Sequence, residues 1–353
     1  MTRLTGWRDI RALRAAPPGE AARDSERKKT FVAALRQAEE LAEAASSTSY
    51  ATKALPLFYS LSQAGRAIAA AHLPDPWRLR WHGLSVREDA EQILDTIVSP
   101  ASRAQDSYQG TATAIGSPGL SGPTSLGALW TANPDLLEVS PPATAGQWPP
   151  AITIPLGTLK PPPGSDPGYG TSAVSTDGTV STAVDIQGTT GAEITTALCG
   201  YPSLREAFGV KQGLMGGEEA GPSDVVVRSD DRFGRSLATI GLPCPSTTTM
   251  TEMWDRQRAF ASIVETDRAQ PRTEPPQLVG FALPEIAGGP SPHPLMLWWA
   301  LLLGLSSLTR YEPAAWSAAI DLDASELAVP LEQVLEIAED RLPARILESL
   351  RGC

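Results

Sequence analysis

Apolar residues recur at helical spacing near both ends of the chain and lose that spacing in the middle. Over residues 24–45, Phe31, Leu35, Ala38 and Leu41 or Ala42 return every three or four positions. That period predicts an amphipathic helix, with Asp24 or Ser25 as its N-cap. Tyr50 to about Ala71 predicts a second helix, with Leu57, Leu61, Ala64 and Ile68 on its apolar face. Pro56 predicts a kink or boundary inside it, and the prolines of His72-Leu73-Pro74-Asp75-Pro76 predict its end. Trp77 to Trp81 alternates as a short extended segment would. Late in the chain, Pro294 suits the first turn of a helix running to about Arg310, and Glu312-Pro313 stops it. Ala324 to Leu350 predicts two short helices separated by Pro343, with Leu331, Val334, Leu335 and Ala338 on one face.

The middle reads differently. Gly and Pro together make roughly 18% of the chain against about 12% on average, and the excess falls between residues 109 and 245. Short β-rich runs at residues 151–156, 179–186, 224–228 and 277–281 predict strands. Leu204 to Phe208 has room for one helical turn, and residues 161–168 read as an exposed loop tip. Ser85 to Ile97 reads as a short helix or a loop. The expected fold is mainly α, with an α+β, loop-rich central insert and with N- and C-terminal helices packed into one core. The expected division is a segment at 1–23, a helical core from 24–104 and 285–353, and an insert at 105–284.

Composition narrows the class of function. A net charge of −11 repels phosphate backbones at long range and disfavours sequence-independent nucleic-acid binding. Two local basic clusters stand against that background: Arg23, Arg27, Lys28 and Lys29, then Arg78, Arg80 and Arg87. Cys199, Cys244 and Cys353 are odd in number and widely spaced, which fits neither a disulfide framework nor a zinc site. The apolar run Leu295–Leu308 is about 14 residues where a membrane span needs about 20. The first residues have no apolar leader core. A cytoplasmic protein without membrane contact is expected.

Chemistry-bearing residues concentrate in two tryptophan-rich blocks that contain all three histidines: His72, His82 and His293. Tyr59, Ser62 and Gln63 precede Arg66 by seven, four and three residues, so they share one helix face with it. Ser306 and Ser307 precede Arg310 in the same way. A buried arginine needs partners, which Glu312 or a bound anion could supply. His82 precedes Gly83, where the backbone can turn tightly. His293, between two prolines at a helix start, reads as structural. Three scattered histidines make a poor metal site, and no metal or other cofactor is expected. Neither a phosphate-binding Gly-Lys loop nor a Gly-x-Ser-x-Gly elbow is present. The paired acids Glu218-Glu219 and Asp230-Asp231 read as surface turns, and Gly213–Gly217 lacks the strand and helix context of a phosphate loop.

Leu57-Phe58-Tyr59-Ser60-Leu61, then His82-Gly83-Leu84-Ser85-Val86, then Leu305 through Trp316 resemble the YaaC-like protein family of bacteria. The resemblance implies a bacterial intracellular protein and brings no catalytic residues with it. Arg66 followed by His72 is also similar to the loose Arg-x(4–6)-His pattern of HEPN ribonucleases, which need no metal. The match departs from that pattern at Ala67, and an ideal helix points the two side chains about 120° apart. Two expectations follow. One is an anion-binding pocket formed by Tyr59, Ser62, Gln63, Arg66, His82, Ser306 and Arg310, taking a small anionic molecule or a protein partner. The other is a metal-independent phosphodiester enzyme using Arg66 with His72 or His82, the one case in which nucleic acid is a partner.

Overall fold

The computed structural model describes residues 3–101, 105–142, 148–149, 151–158, 173–174, 179–185, 200–202, 225–230, 235–243, 265–268 and 277–351. The chain divides into two compact units, Met1–Trp148 with Ile286–Cys353, and Pro149–Glu285. Eight α-helices are found among the described residues, all in the first unit.

Asp24 caps α2 (Ser25–Ser46), its carboxylate accepting from the amides of Glu26 and Arg27. Phe31, Leu35 and Ala38 are fully buried along that helix, as their spacing predicts. The long helix α3 (Tyr50–His72) lies against it. No boundary forms at Pro56. Leu57, Phe58, Leu61, Ala64 and Ile68 are each at most 1% exposed, and that burial carries the helix past a residue that cannot donate to the ladder. Two further helices pack on α3: α6 (Pro294–Tyr311) and α8 (Ala328–Arg351). The short α7 (Pro313–Ala319) follows α6 directly. The terminal helices therefore close one core, as expected.

Three readings of this unit need correction. Pro343 does not separate two helices, because α8 runs through it. Leu342 and Ile346 beside it are buried, and α1 (Arg3–Ala15) crosses at Gly6, where a Cβ would stand 2.8 Å from the Pro343 Cβ. Tertiary packing on both sides outweighs the helix penalty of one proline. Residues 84–100 are not helical. They form β1 (Leu84–Arg87), a 3₁₀ turn (Ile93–Asp95) and β2 (Ile97–Pro100), which β3 (Thr124–Ser125) completes as an antiparallel sheet in the order β1-β2-β3. Residues 105–148, read from sequence as the start of the insert, instead carry α4 (Ser107–Ala114) and α5 (Leu126–Ala132) and group with the helical core. Trp130 and Tyr108 from this stretch are buried there.

The second unit contains two antiparallel sheets. One has the order β5-β6-β8-β7, from Ala173–Val174, Thr179–Asp185, Arg235–Pro243 and Val225–Asp230. The other has the order β4-β10-β9, from Ile152–Thr158, Gln277–Ala282 and Glu265–Arg268. The four strands read from sequence are β4, β6, β7 and β10. The central strand β8 was not among them, because its Gly and Pro break the apolar run. A two-residue turn at Ala287 and Gly288, both left-handed, joins β11 (Glu285–Ile286) to β12 (Gly289–Pro290). The readings at residues 161–168, 204–208, 213–217 and 218–219, and at all three cysteines, lie outside the described residues. So does Asp231.

Candidate functional site

The site is built on α3, on the segment that follows it, and on the end of α6. After α3, residues 77–80 alternate between buried and exposed, as the sequence pattern predicts, and Trp81 forms a parallel bridge with Asp106. The segment runs alongside residues 105–108. The Arg80 amide donates to Gln105 O, the Ser107 amide to Trp81 O and the Tyr108 amide to His82 O, at 2.6–3.1 Å. These bonds fix the backbone on either side of His82. Gly83 then turns with φ +82°, and a Cβ there would lie 2.2 Å from Asp106 Oδ1. Asp106 has its own task, capping α4 through the Gln109 amide at 2.6 Å. Only glycine combines that φ with that contact.

The His82 ring lies over Phe58, centroids 5.8 Å apart, while the residue as a whole stays exposed. Burial of the ring, then the positive charges of Arg310 and Arg66, hold its pKa below the usual 6.5. The imidazole is therefore mainly neutral at pH 7. The same electrostatics bring Arg66 of α3 and Arg310 of α6 to bear on a single side chain. Arg66 is half-buried and donates through Nη1 to Leu79 O at 2.8 Å. Arg310 Nε donates to Ser306 O at 3.3 Å, and its guanidinium stands 5.0 Å from the Tyr311 ring. Neither arginine forms an ion pair among the described residues.

Two expectations about the arginines change. Arg310 is exposed rather than buried, and Glu312 does not pair with it. Ser306, fully buried, turns its hydroxyl back to Leu303 O at 2.8 Å. Ser307 instead donates to Glu88, so a carboxylate that sequence did not suggest sits one turn from Arg310. On α3, Ser62 is buried, Gln63 half-buried and Tyr59 37% exposed, with the Tyr59 ring 5.4 Å from Phe58.

The other two histidines are engaged elsewhere. His72 contacts Leu350 O of α8 through Nε2 at 3.0 Å. His293 caps α6, Nδ1 accepting from the Leu295 amide at 3.2 Å, in keeping with its structural reading. Burial, followed by the charge of Arg345, drives its pKa down to about 4.

The basic clusters also resolve. Arg27 is buried and donates to Leu73 O at 2.7 Å, capping the end of α3. Arg27 and Arg78 stand 5.1 and 5.4 Å from the Trp77 ring, and Arg78 pairs with Glu26. Lys53 and Glu339 form a buried pair at 2.9 Å. Among the described residues, no group of three or more His, Cys, Asp or Glu is placed to hold a metal ion, and no helix is long and apolar enough to cross a membrane.

The YaaC-like protein family matches residues 11–141 and 265–350, well over half of the chain. The chain belongs to the YaaC-like family. No curated protein and no solved structure matches it. The family match extends to residue 141, in accord with the packing of α4 and α5 into the helical core. It resumes at residue 265, so it takes in β9 and β10 but not the four-stranded sheet. Every residue of the Arg66–His82–Arg310 cluster lies inside the YaaC-like segments.

Proposed function

We propose that this YaaC-like protein binds a small anionic ligand through Arg66, His82 and Arg310. One observation carries the reading. Two arginines from helices more than 200 residues apart in sequence act on one imidazole, and neither has a carboxylate partner among the described residues. Guanidinium groups left in that state suit a phosphate or carboxylate. His82, kept neutral by burial of its ring and then by their charges, can donate to the ligand or take up a proton from it. Gln63 and Tyr59, on the face of α3 that ends in Arg66, offer further donors. Ser306 and Ser307 act as supports for α6 rather than as ligand contacts, since their hydroxyls are used within the protein.

The test is calorimetric titration with inorganic phosphate and with citrate, alongside NMR titration of the His82 ring. Wild type should bind at least one of them, Arg66→Ala and Arg310→Ala should each weaken binding by tenfold or more, and the bound anion should raise the His82 pKa. Absence of binding, or binding untouched by both substitutions, would overturn the proposal.

A second reading keeps the same residues as a metal-independent phosphodiester enzyme. A neutral imidazole beside two guanidiniums supplies a general base and a clamp for the crowded phosphate. His82 supports this better than His72, whose Nε2 is turned to Leu350 O. Incubation with labelled RNA in EDTA decides it. Cleavage abolished by His82→Ala but retained by His72→Ala supports this reading, and no cleavage by wild type removes it.

A further inference from the structure

Arg345 shows how this chain seats a carboxylate on a guanidinium. Its Nε and Nη2 form one edge and donate side by side to the two oxygens of Asp135, at 3.2 and 2.9 Å. Its Nη1 turns away, to Glu348 at 3.2 Å. Arg66 has its Nη1 engaged in the same way, on Leu79 O at 2.8 Å. Its Nε and Nη2 have no hydrogen-bond or ionic partner among the described residues, so the same two-donor edge is intact. The five N–H donors of arginine form one rigid fork. The bond to Leu79 O therefore also limits how far that edge can swing.

A buried hydroxyl lies one helical turn away. Ser62 precedes Arg66 by four residues on the same face of α3 and is only 4% exposed. Helical side chains lean towards the N-terminus of their helix, so Arg66 leans over the turn that holds Ser62. The Ser62 hydroxyl makes no hydrogen bond among the described residues. Ser60 of the same helix uses its own on Ala38 O at 2.6 Å. The segment after α3 brackets Ser62: Leu79 is bonded to Arg66 one turn after it, and His82 lies over Phe58 one turn before it. A buried hydroxyl without a bond is costly, and an acceptor seated on the Arg66 edge can take that bond.

We infer that the anion of this site is the carboxylate of a small acid, held side-on by Nε and Nη2 of Arg66 and accepting from the Ser62 hydroxyl. Two oxygens match the two donors of the edge, and one negative charge matches one guanidinium. The other polar residues of this face, Tyr59, Ser62 and Gln63, are neutral and add no charge for a phosphate dianion. The inference rests on the anion-binding reading above for Arg66, draws nothing from Arg310, and adds the chemical class of the ligand.

The experiment uses the full chain and four probes: glycolate, citrate, inorganic phosphate, and glycolamide as the neutral counterpart of glycolate. Calorimetry gives affinities, and NMR follows the assigned Nε–H resonance of Arg66. Glycolate or citrate should bind at least tenfold more tightly than phosphate and glycolamide and should shift that resonance. Arg66→Lys keeps the charge but not the edge, and should weaken carboxylate binding by tenfold or more. Ser62→Ala should weaken it about fivefold. If phosphate binds as tightly as the carboxylates, or Arg66→Lys binds them as wild type does, the inference falls and the anion reading stands. If no probe binds, both fall. Carboxylate binding unchanged by Ser62→Ala overturns the Ser62 contact. Should Arg66→Lys fail to fold, the wild-type resonance decides: a shift on carboxylate binding supports the side-on seat, and binding without a shift overturns it.

Discussion

Arg345 of α8 meets Asp135 as a two-pronged pair, Nη2 to Oδ1 at 2.9 Å and Nε to Oδ2 at 3.2 Å, with both side chains almost wholly buried. Trp298 of α6 adds a third bond to the same carboxylate at 2.8 Å. Burial alone would raise the Asp135 pKa, but the charge and hydrogen bonds of Arg345, with the Trp298 bond, hold it below the usual 3.8. The pair links the 3₁₀ turn after α5 (Pro134–Leu136) to the last helix. Asp135→Ala would take both of these bonds from a buried guanidinium, whose Nη1 keeps Glu348 at 3.2 Å, and should cost up to about 3–5 kcal/mol. Urea denaturation reads this, and Asp135→Leu with Arg345→Met should recover much of the loss.

His293 makes stability depend on pH in a definite window. Its pKa is about 4 in the folded protein against 6.5 for a free histidine. Between those values the unfolded chain binds a proton that the folded chain refuses. Stability should therefore fall as pH drops from 6.5 towards 4, at up to about 1.4 kcal/mol per unit from this residue. His293→Asn keeps an N-cap and removes the titration. Its stability curve should be flatter than that of wild type over that window. Parallel curves would show that His293 does not titrate as described.

Gly83 and Gly116 provide a matched contrast, since both have positive φ. At Gly116 nothing lies within 4 Å of a new Cβ, so Gly116→Ala should cost only about 1–2 kcal/mol of backbone strain. Gly83→Ala adds a clash with Asp106. It should cost clearly more in thermal unfolding and should shift the His82 resonances, which Gly116→Ala should leave in place.

Gly65 is a packing position. A Cβ there would meet the Trp299 ring at 2.4 Å and Thr111 Oγ1 at 2.7 Å. Gly65→Ala should lose about 1–3 kcal/mol by overpacking, despite the higher helix propensity of alanine. Trp299 also contacts Phe58 and Tyr108 edge-on at 6.5 and 6.4 Å. The same substitution should therefore displace the His82 ring that rests on Phe58, visible as altered His82 shifts. Unchanged stability and shifts would contradict this packing.

Local pattern was enough for the helical ends and narrowed the N-cap of α2 to Asp24 or Ser25, because periodic burial and a short side-chain cap act within one turn; the structure assigns it to Asp24. It was enough for Gly83 as a turn and for the polar stripe ending in Arg66. It failed wherever a distant surface set the outcome. Pro343 stays helical because Gly6 and the buried neighbours pack around it. Residues 105–148 join the core because Tyr108 and Trp130 find partners there. Asp135 and Arg345 lie 210 residues apart, and nothing around either signals the other. The same holds for Arg66 and Arg310. Sequence placed each on its own helix face, but only the packing of α6 on α3 brought both charges onto His82. Where no proline interrupts it, helix formation is decided by neighbours a few residues away. A candidate site drawn from two ends of a chain is decided by how those helices bury their apolar faces together.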